Sequence, residues 1–251
     1  MDLARLFGGA FLAGLVDAIV GGGGLIQIPL LFGVFPDAAA ATIFGTNKLS
    51  AVFGTASAAA RYVRRVDVLW GAALPAAVAA FVASFVGAMT VSALPEAVVK
   101  PLVLVLLVFV GCYVLMRKEF GLVDRGLKLG RRHLFGAVVL GGGIGFYDGF
   151  FGPGTGSFLI FLFVRFFGFD FLRASATAKV VNVMTNVAAL IYFGSSGQVM
   201  WQLGLGMAFC NVAGALVGTQ LALRHGSLLV RRLFLAVVLV LIVRFARELL
   251  R

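Results

Sequence analysis

Eight apolar runs occupy most of the chain, roughly Leu3–Phe35, Ala38–Ala60, Val68–Val91, Val98–Met116, Leu134–Phe167, Phe171–Gly194, Val199–Leu223 and Leu228–Val243. Most reach or exceed the ~20 residues that an α-helix needs to cross a hydrocarbon core of roughly 30 Å. The longest polar stretch, Arg117 to His133, lies between the fourth and fifth runs. The pattern predicts an all-α polytopic membrane protein with four hydrophobic segments on each side of a basic linker. It divides into a first membrane repeat (residues 1–116), a cytoplasmic linker (117–133) and a second membrane repeat (134–251).

The two halves match at one register. Asp17 and Asp148 lie 148 − 17 = 131 residues apart, and so do Trp70 and Trp201, the two tryptophans of the chain. The same shift pairs Gly14 with Gly145, Gly21 with Gly152, Thr46 with Thr177, Lys48 with Lys179, Gly87 with Gly218 and Leu102 with Leu233. An ungapped match of this length indicates an internal duplication, a common construction among secondary transporters, whose sites form between repeats at interrupted helices.

Interruptions are present. The first run is broken at Gly21-Gly22-Gly23-Gly24, and its counterpart at Gly152-Pro153-Gly154-Thr155-Gly156. Glycine frees the backbone and proline removes a donor, so each long run should split into two shorter helices. Unwound backbone at membrane depth is tolerated only where protein or a wet cavity covers it. Cations decide whether these openings cross or turn back. With re-entrant openings, Arg61, Arg64, Arg65, the linker cations, Arg165, Arg173, Arg224, Arg231 and Arg232 all fall on the cytoplasmic side, as the positive-inside rule asks. The expectation is therefore an inverted repeat, at the cost of a C-terminus outside with Arg244, Arg247 and Arg251.

Composition narrows the function classes. Of 251 residues 61% are hydrophobic and 12% charged, against about 25% charged in soluble domains, and the mean hydropathy is +1.07. No soluble catalytic domain fits. The net charge of +11 comes from cations at the ends of apolar runs, where anionic headgroups explain them without nucleic acid. Cys112 and Cys210 are isolated within apolar runs, and His133 and His225 sit beside arginines at run ends. No metal site and no cofactor are expected, nor a nucleophile–base pair.

Four ionisable residues lie deep in the apolar runs: Asp17, Lys48, Asp148 and Lys179. A charge at the centre of a membrane helix costs about 2.5–3.5 kcal/mol on insertion scales, so such residues face a partner or a cavity. One reading is a structural Asp–Lys pair within each half. The other is an anion site built on Lys48 and Lys179, completed by Thr46, Asn47, Thr177 and Asn182, with Ser50, Thr185 and Asn186 nearby. The breaks at Gly23, Gly24, Gly154, Thr155, Gly156 and Ser157 would add backbone donors and the positive ends of half-helices, which favour anions. Asp17 and Asp148 would then either hold the lysines or take up protons during a transport cycle. The Gly152–Ser157 run lacks the Gly-Lys-Ser/Thr ending of a nucleotide loop. Gly141-Gly145-Gly149 and Gly214-Gly218 have the spacing of close helix packing.

These motifs resemble the TauE/SafE sulfite exporters, also called the toluenesulfonate uptake permease group. The stretch from Gly14 through Asp17, Gly21 and Gly24 to Pro29 is similar to that family's first broken segment, and Gly45-Thr46-Asn47-Lys48-Leu49 to its second-segment motif. Asp148-Gly149 with Gly152-Pro153-Gly154-Thr155-Gly156-Ser157, and Ala176-Thr177-Ala178-Lys179, look like the repeated copies. The resemblance spans nearly the whole chain. It implies transport of sulfite or organosulfonates such as sulfoacetate across a bacterial inner membrane. Half one has Gly22 and Asn47 where half two has Pro153 and Ala178, so the two copies of the site are not equivalent. The expected partners are a small anion of the sulfite/sulfonate class and membrane lipid. An anion channel, or a transporter of another small anion, is the alternative.

Overall fold

A computed structural model describes residues 2–90, 121, 122, 124 and 130–249. The apolar run Val98–Met116, Leu102, Cys112 and the linker cations Arg117, Lys118, Arg125 and Lys128 lie outside the described residues, which form eight helices and no strand. In chain order these are α1 (Asp2–Val20), α2 (Gly24–Val34), α3 (Ala40–Val63), α4 (Trp70–Thr90), α5 (Arg131–Phe150), α6 (Thr155–Phe167), α7 (Phe171–Ser195) and α8 (Trp201–Leu249). The last two apolar runs are joined in α8 and separated by a single left-handed residue, Gly226 (φ 66°, ψ −163°). Asp170 caps α7, its carboxylate accepting from the Arg173 N–H at 2.8 Å, the usual way an orphan N-terminal donor is satisfied.

By length and composition, the segments Leu3–Val20, Trp70–Thr90, Phe171–Ser195 and Trp201–Ala236 can each cross a membrane. α3 is long enough at 24 residues, but its polar Thr46–Ser50 stretch lowers its hydropathy. The protein is a multi-pass α-helical membrane protein.

Both broken openings are hairpins. In the first, Gly23 lies against Ala13 and Asp17, and Leu30 against Gly9, so α2 runs back along α1. In the second, Tyr147 packs on Phe158 and His133 on Phe167, so α6 runs back along α5. Helix starts recur at the sequence interval: Gly24 and Thr155, Ala40 and Phe171, and Trp70 and Trp201 each open corresponding helices 131 residues apart.

Helix directions follow from neighbouring residues. Phe7, Phe11 and Leu15 of α1 meet Gly206, Gly214 and Gly218 of α8, a parallel pairing. Ala76, Ala80 and Ser84 of α4 likewise meet Gly141, Gly145 and Gly149 of α5. The glycine rows serve the close packing that their spacing implies. α3 and α7 run oppositely. Gly45 lies beside Phe193 at one end, while at the other Tyr62 and Ser175 donate to the adjacent Ala18 and Ile19 carbonyls. The helices of the second half are thus traced in the reverse sense to their counterparts.

Candidate substrate site

The hairpin tips meet in the middle of the bundle. The Ser157 N–H donates to the Gly21 carbonyl at 2.7 Å. The Ser157 hydroxyl reaches the Val20 and Gly21 carbonyls at 2.9 and 2.8 Å. Gly21 (φ 72°) packs so closely on the Gly156 backbone that no side chain fits there, and its left-handed conformation independently favours glycine.

Beside the tips lies a polar cavity of ≈ 40 Å³, room for about three waters at ~10–15 Å³ each. Its wall is formed by Gly21–Gly24 with Gly152, Gly154, Thr155 and Gly156. The ionisable residues lining it are Asp17, Lys48 and Asp148, and the uncharged polar ones include Gln27, Asn47, Thr55, Asn182, Asn186 and Asn211. The N-termini of α2 and α6 open at this point, which places positive helix ends at the cavity.

The four deep charges form two ion pairs, and both cross between halves. Lys48 Nζ lies 2.7 Å from Asp148 Oδ2, and Lys179 Nζ lies 2.9 Å from Asp17 Oδ2. The within-half pairing suggested by sequence is therefore replaced by an exchange. Each hairpin supplies the carboxylate, and the long helix of the other half supplies the lysine. The physical reason is the antiparallel α3–α7 packing, which brings each lysine to the other half's hairpin.

The two pairs differ in setting. Lys48 and Asp148 both line the cavity. Lys179 is fully buried behind Asp17, whose carboxylate also accepts from the Thr55 hydroxyl at 3.3 Å and is 20% exposed. Tyr147, next to Asp148, donates to the Pro153 carbonyl at 2.6 Å and ties the second tip together.

Of the residues expected at an anion site, Lys48, Asn47, Asn182, Gly23, Gly24, Gly154, Thr155 and Gly156 line the cavity, together with Asp17 and Asp148. Thr46, Thr177, Ser157 and Lys179 do not. The Thr46 hydroxyl donates to the Thr42 carbonyl and accepts from the Met200 N–H. The Thr177 hydroxyl donates one turn back to Arg173, and the Ser157 hydroxyl is used at the interlocked tips. Polar side chains in apolar helices satisfy themselves on nearby backbone when they can. The cavity in turn uses residues not anticipated: Gln27, Thr55 and Asn211. Asn211 Nδ2 donates to Gln27 Oε1 at 3.1 Å. Gln27 Nε2, Asn47 Oδ1 and Asn182 Oδ1 are buried without a partner among the described residues. Buried amides left open in this way are costly, and all three belong to cavity-lining residues. Thr55 shares a repeat register with Asn186 and could have been found from it. Gln27 and Asn211 face Phe158 and Ala80 in that register and carried no such signal.

A family model described as sulfite exporter TauE/SafE matches residues 6–245. The chain is 37% identical over 248 residues to a probable membrane transporter protein, ORF9, of Sinorhizobium sp, covering 98% of this chain and 93% of that protein. It is 37% identical over 240 residues to the probable membrane transporter protein YfcA of Escherichia coli K12, covering 94% and 86%. A probable membrane transporter protein of Haemophilus influenzae is 36% identical over 230 residues, covering 91% and 88%. No solved structure matches the chain significantly.

Proposed function

The chain belongs to the sulfite exporter TauE/SafE family and is a membrane transporter, and we propose that it is a gradient-driven carrier of a small sulfur-containing anion, sulfite or an organosulfonate, across the cell inner membrane. The observation that carries this reading is the polar cavity at the meeting point of the two hairpins. In an otherwise apolar bundle it gathers Lys48, two helix N-termini and unpaired buried amides. An oxyanion is the ligand such a set suits, because cationic and N–H donors converge where water is scarce.

At ≈ 40 Å³ the cavity is too small for a sulfonate with its carbon chain. Loading then requires the tips to part, and parting on alternate sides is the expected cycle of a repeat-built carrier. The test is uptake into liposomes holding the purified protein, with a panel of sulfite, sulfate, thiosulfate, sulfoacetate and taurine, with and without a proton gradient. Saturable uptake of a sulfite- or sulfonate-class anion, weakened by Lys48→Ala, is expected. Uptake of sulfate or thiosulfate alone, or of no member of the panel, would overturn the substrate class.

A further inference from the structure

The cavity carries no net charge to offer an anion. Its ionisable lining residues are Asp17, Lys48 and Asp148, and Lys179 stands directly behind Asp17. Two lysines and two aspartates cancel, and each ammonium already has a carboxylate within 2.9 Å. Among the described residues, no ionisable side chain beyond these four lines the cavity with Asp148 or stands directly behind it. α4 contains no ionisable residue, α6 has only Arg165 in its last turn, and α7 contributes Lys179, which is paired, and Arg173, which is held by Asp67 and Asp124. Tyr147, beside Asp148, uses its hydroxyl on Pro153.

A monoanion entering a neutral, partly desolvated set leaves an uncompensated charge, which the low-dielectric interior penalises heavily. The penalty is avoided if a cation enters too. Among the described residues Lys48 is the one ammonium that lines the cavity, so an anion reaches it by taking the place of the Asp148 carboxylate. The displaced carboxylate is then itself a buried charge without a partner, and a proton entering with the anion removes that charge.

We propose that transport is electroneutral: each monoanion moves with one proton, the anion on Lys48 and the proton on Asp148, while the Lys179–Asp17 pair stays closed. Charge balances at every stage. The resting site holds Lys48 ammonium and Asp148 carboxylate. The loaded site holds Lys48 ammonium, the anion and an Asp148 carboxylic acid. Release returns anion and proton to the same side. This rests on the anion-carrier reading and adds the coupling ion and its ratio.

The experiment uses the full-length protein in liposomes containing a pH-sensitive dye, with methanesulfonate as first probe because it remains a monoanion across the working pH range. Potassium and valinomycin clamp the membrane potential. Inward methanesulfonate flux should acidify the lumen by one proton per anion, and its rate should be the same at 0 and −100 mV. In Asp148→Asn the resting site keeps one positive charge, so the ratio should fall to zero and flux should become sensitive to potential. Flux without acidification, a rate that changes with potential in the unmodified protein, or a requirement for sodium would each overturn the proposal. If Asp148→Asn does not insert, the ratio in the unmodified protein and in Asp148→Glu, expected to remain one, still decides it. If methanesulfonate does not move but a sulfur-free monoanion such as nitrate does, the substrate reading fails while the ratio for that anion still tests the coupling. Absence of any anion flux would defeat both.

Discussion

The Lys48–Asp148 and Lys179–Asp17 pairs occupy the same places in the two halves, yet their surroundings assign them different work. The first pair lines the cavity, with side chains only 4% and 6% exposed. In the second, the lysine is fully buried behind its aspartate, and a threonine hydroxyl helps to hold the carboxylate. Duplication supplied two copies of one ion pair, and the neighbours leave both members of one on the cavity wall and only the aspartate of the other. The asymmetry extends to the walls, where Gln27 and Asn211 of the cavity correspond to apolar Phe158 and Ala80.

The sharpest way to break this comparison is to remove one lysine at a time. Lys179→Met strands Asp17, and the cost should approach the ~3–5 kcal/mol typical of a broken buried pair. A large fall in thermal unfolding temperature in detergent is expected. Adding Asp17→Leu should recover most of it, since no charge is then left alone. Lys48→Met strands Asp148, which is less exposed than Asp17 (6% against 20%), so it should lower stability at least as much, but it should also abolish anion binding, and pairing it with Asp148→Leu should restore the fold without restoring transport. Anion binding lost equally in the two lysine variants would erase the distinction between brace and exchange pair.

A second test uses the equivalent glycines at the hairpin tips, both with positive φ (72° at Gly21, 84° at Gly152). Alanine at either should cost about 1–2 kcal/mol for the left-handed backbone alone. At Gly21 the added methyl also collides with the Gly156 backbone, whereas at Gly152 its nearest neighbours are the Asp148 carbonyl at 3.2 Å and the movable Lys48 ammonium at 3.4 Å. Gly21→Ala should therefore lower folded yield in size-exclusion profiles. Gly152→Ala should fold and show weakened anion affinity.

The cavity amides should give smaller effects. Gln27→Leu removes a hydrogen bond to Asn211 and an open donor, each worth about 1 kcal/mol, so substrate affinity measured by calorimetry should fall roughly tenfold with little change in unfolding temperature. Thr55→Val removes only the long 3.3 Å bond to Asp17 and should cost less than about 1 kcal/mol, visible as a slight loss of thermal stability. A larger loss than that of Gln27→Leu would mean that the brace depends on Thr55.

Much of this architecture was legible in the chain. The glycine runs marked the hairpin tips, the offset of 131 marked helix starts, and charges deep in apolar runs marked the centre. The pairing was not legible, because a repeat register shows which residues are equivalent and not which ones touch. Only the antiparallel packing of α3 on α7 shows that each lysine reaches across. Thr46, Thr177 and Ser157 read as ligands because their hydroxyls stand beside the right motifs, but hydroxyls on helices find backbone carbonyls first. Gln27 and Asn211 were missed for the opposite reason. They have no polar counterpart, so the strongest signal in the sequence pointed away from them.

The interlocked tips also bear on how the protein is made. When residues 2–90 have left the ribosome, Asp17 and Lys48 are already in the bilayer, but Lys179 and Asp148 have yet to be synthesised. The Gly21 carbonyl likewise waits for Ser157. The first half is an intermediate carrying unsettled charges, completed only when the second inserts in the reverse sense and delivers the missing partners. Two fragments divided in the central linker should accordingly fail singly and assemble when produced together in one membrane, each acting as the other's last folding step.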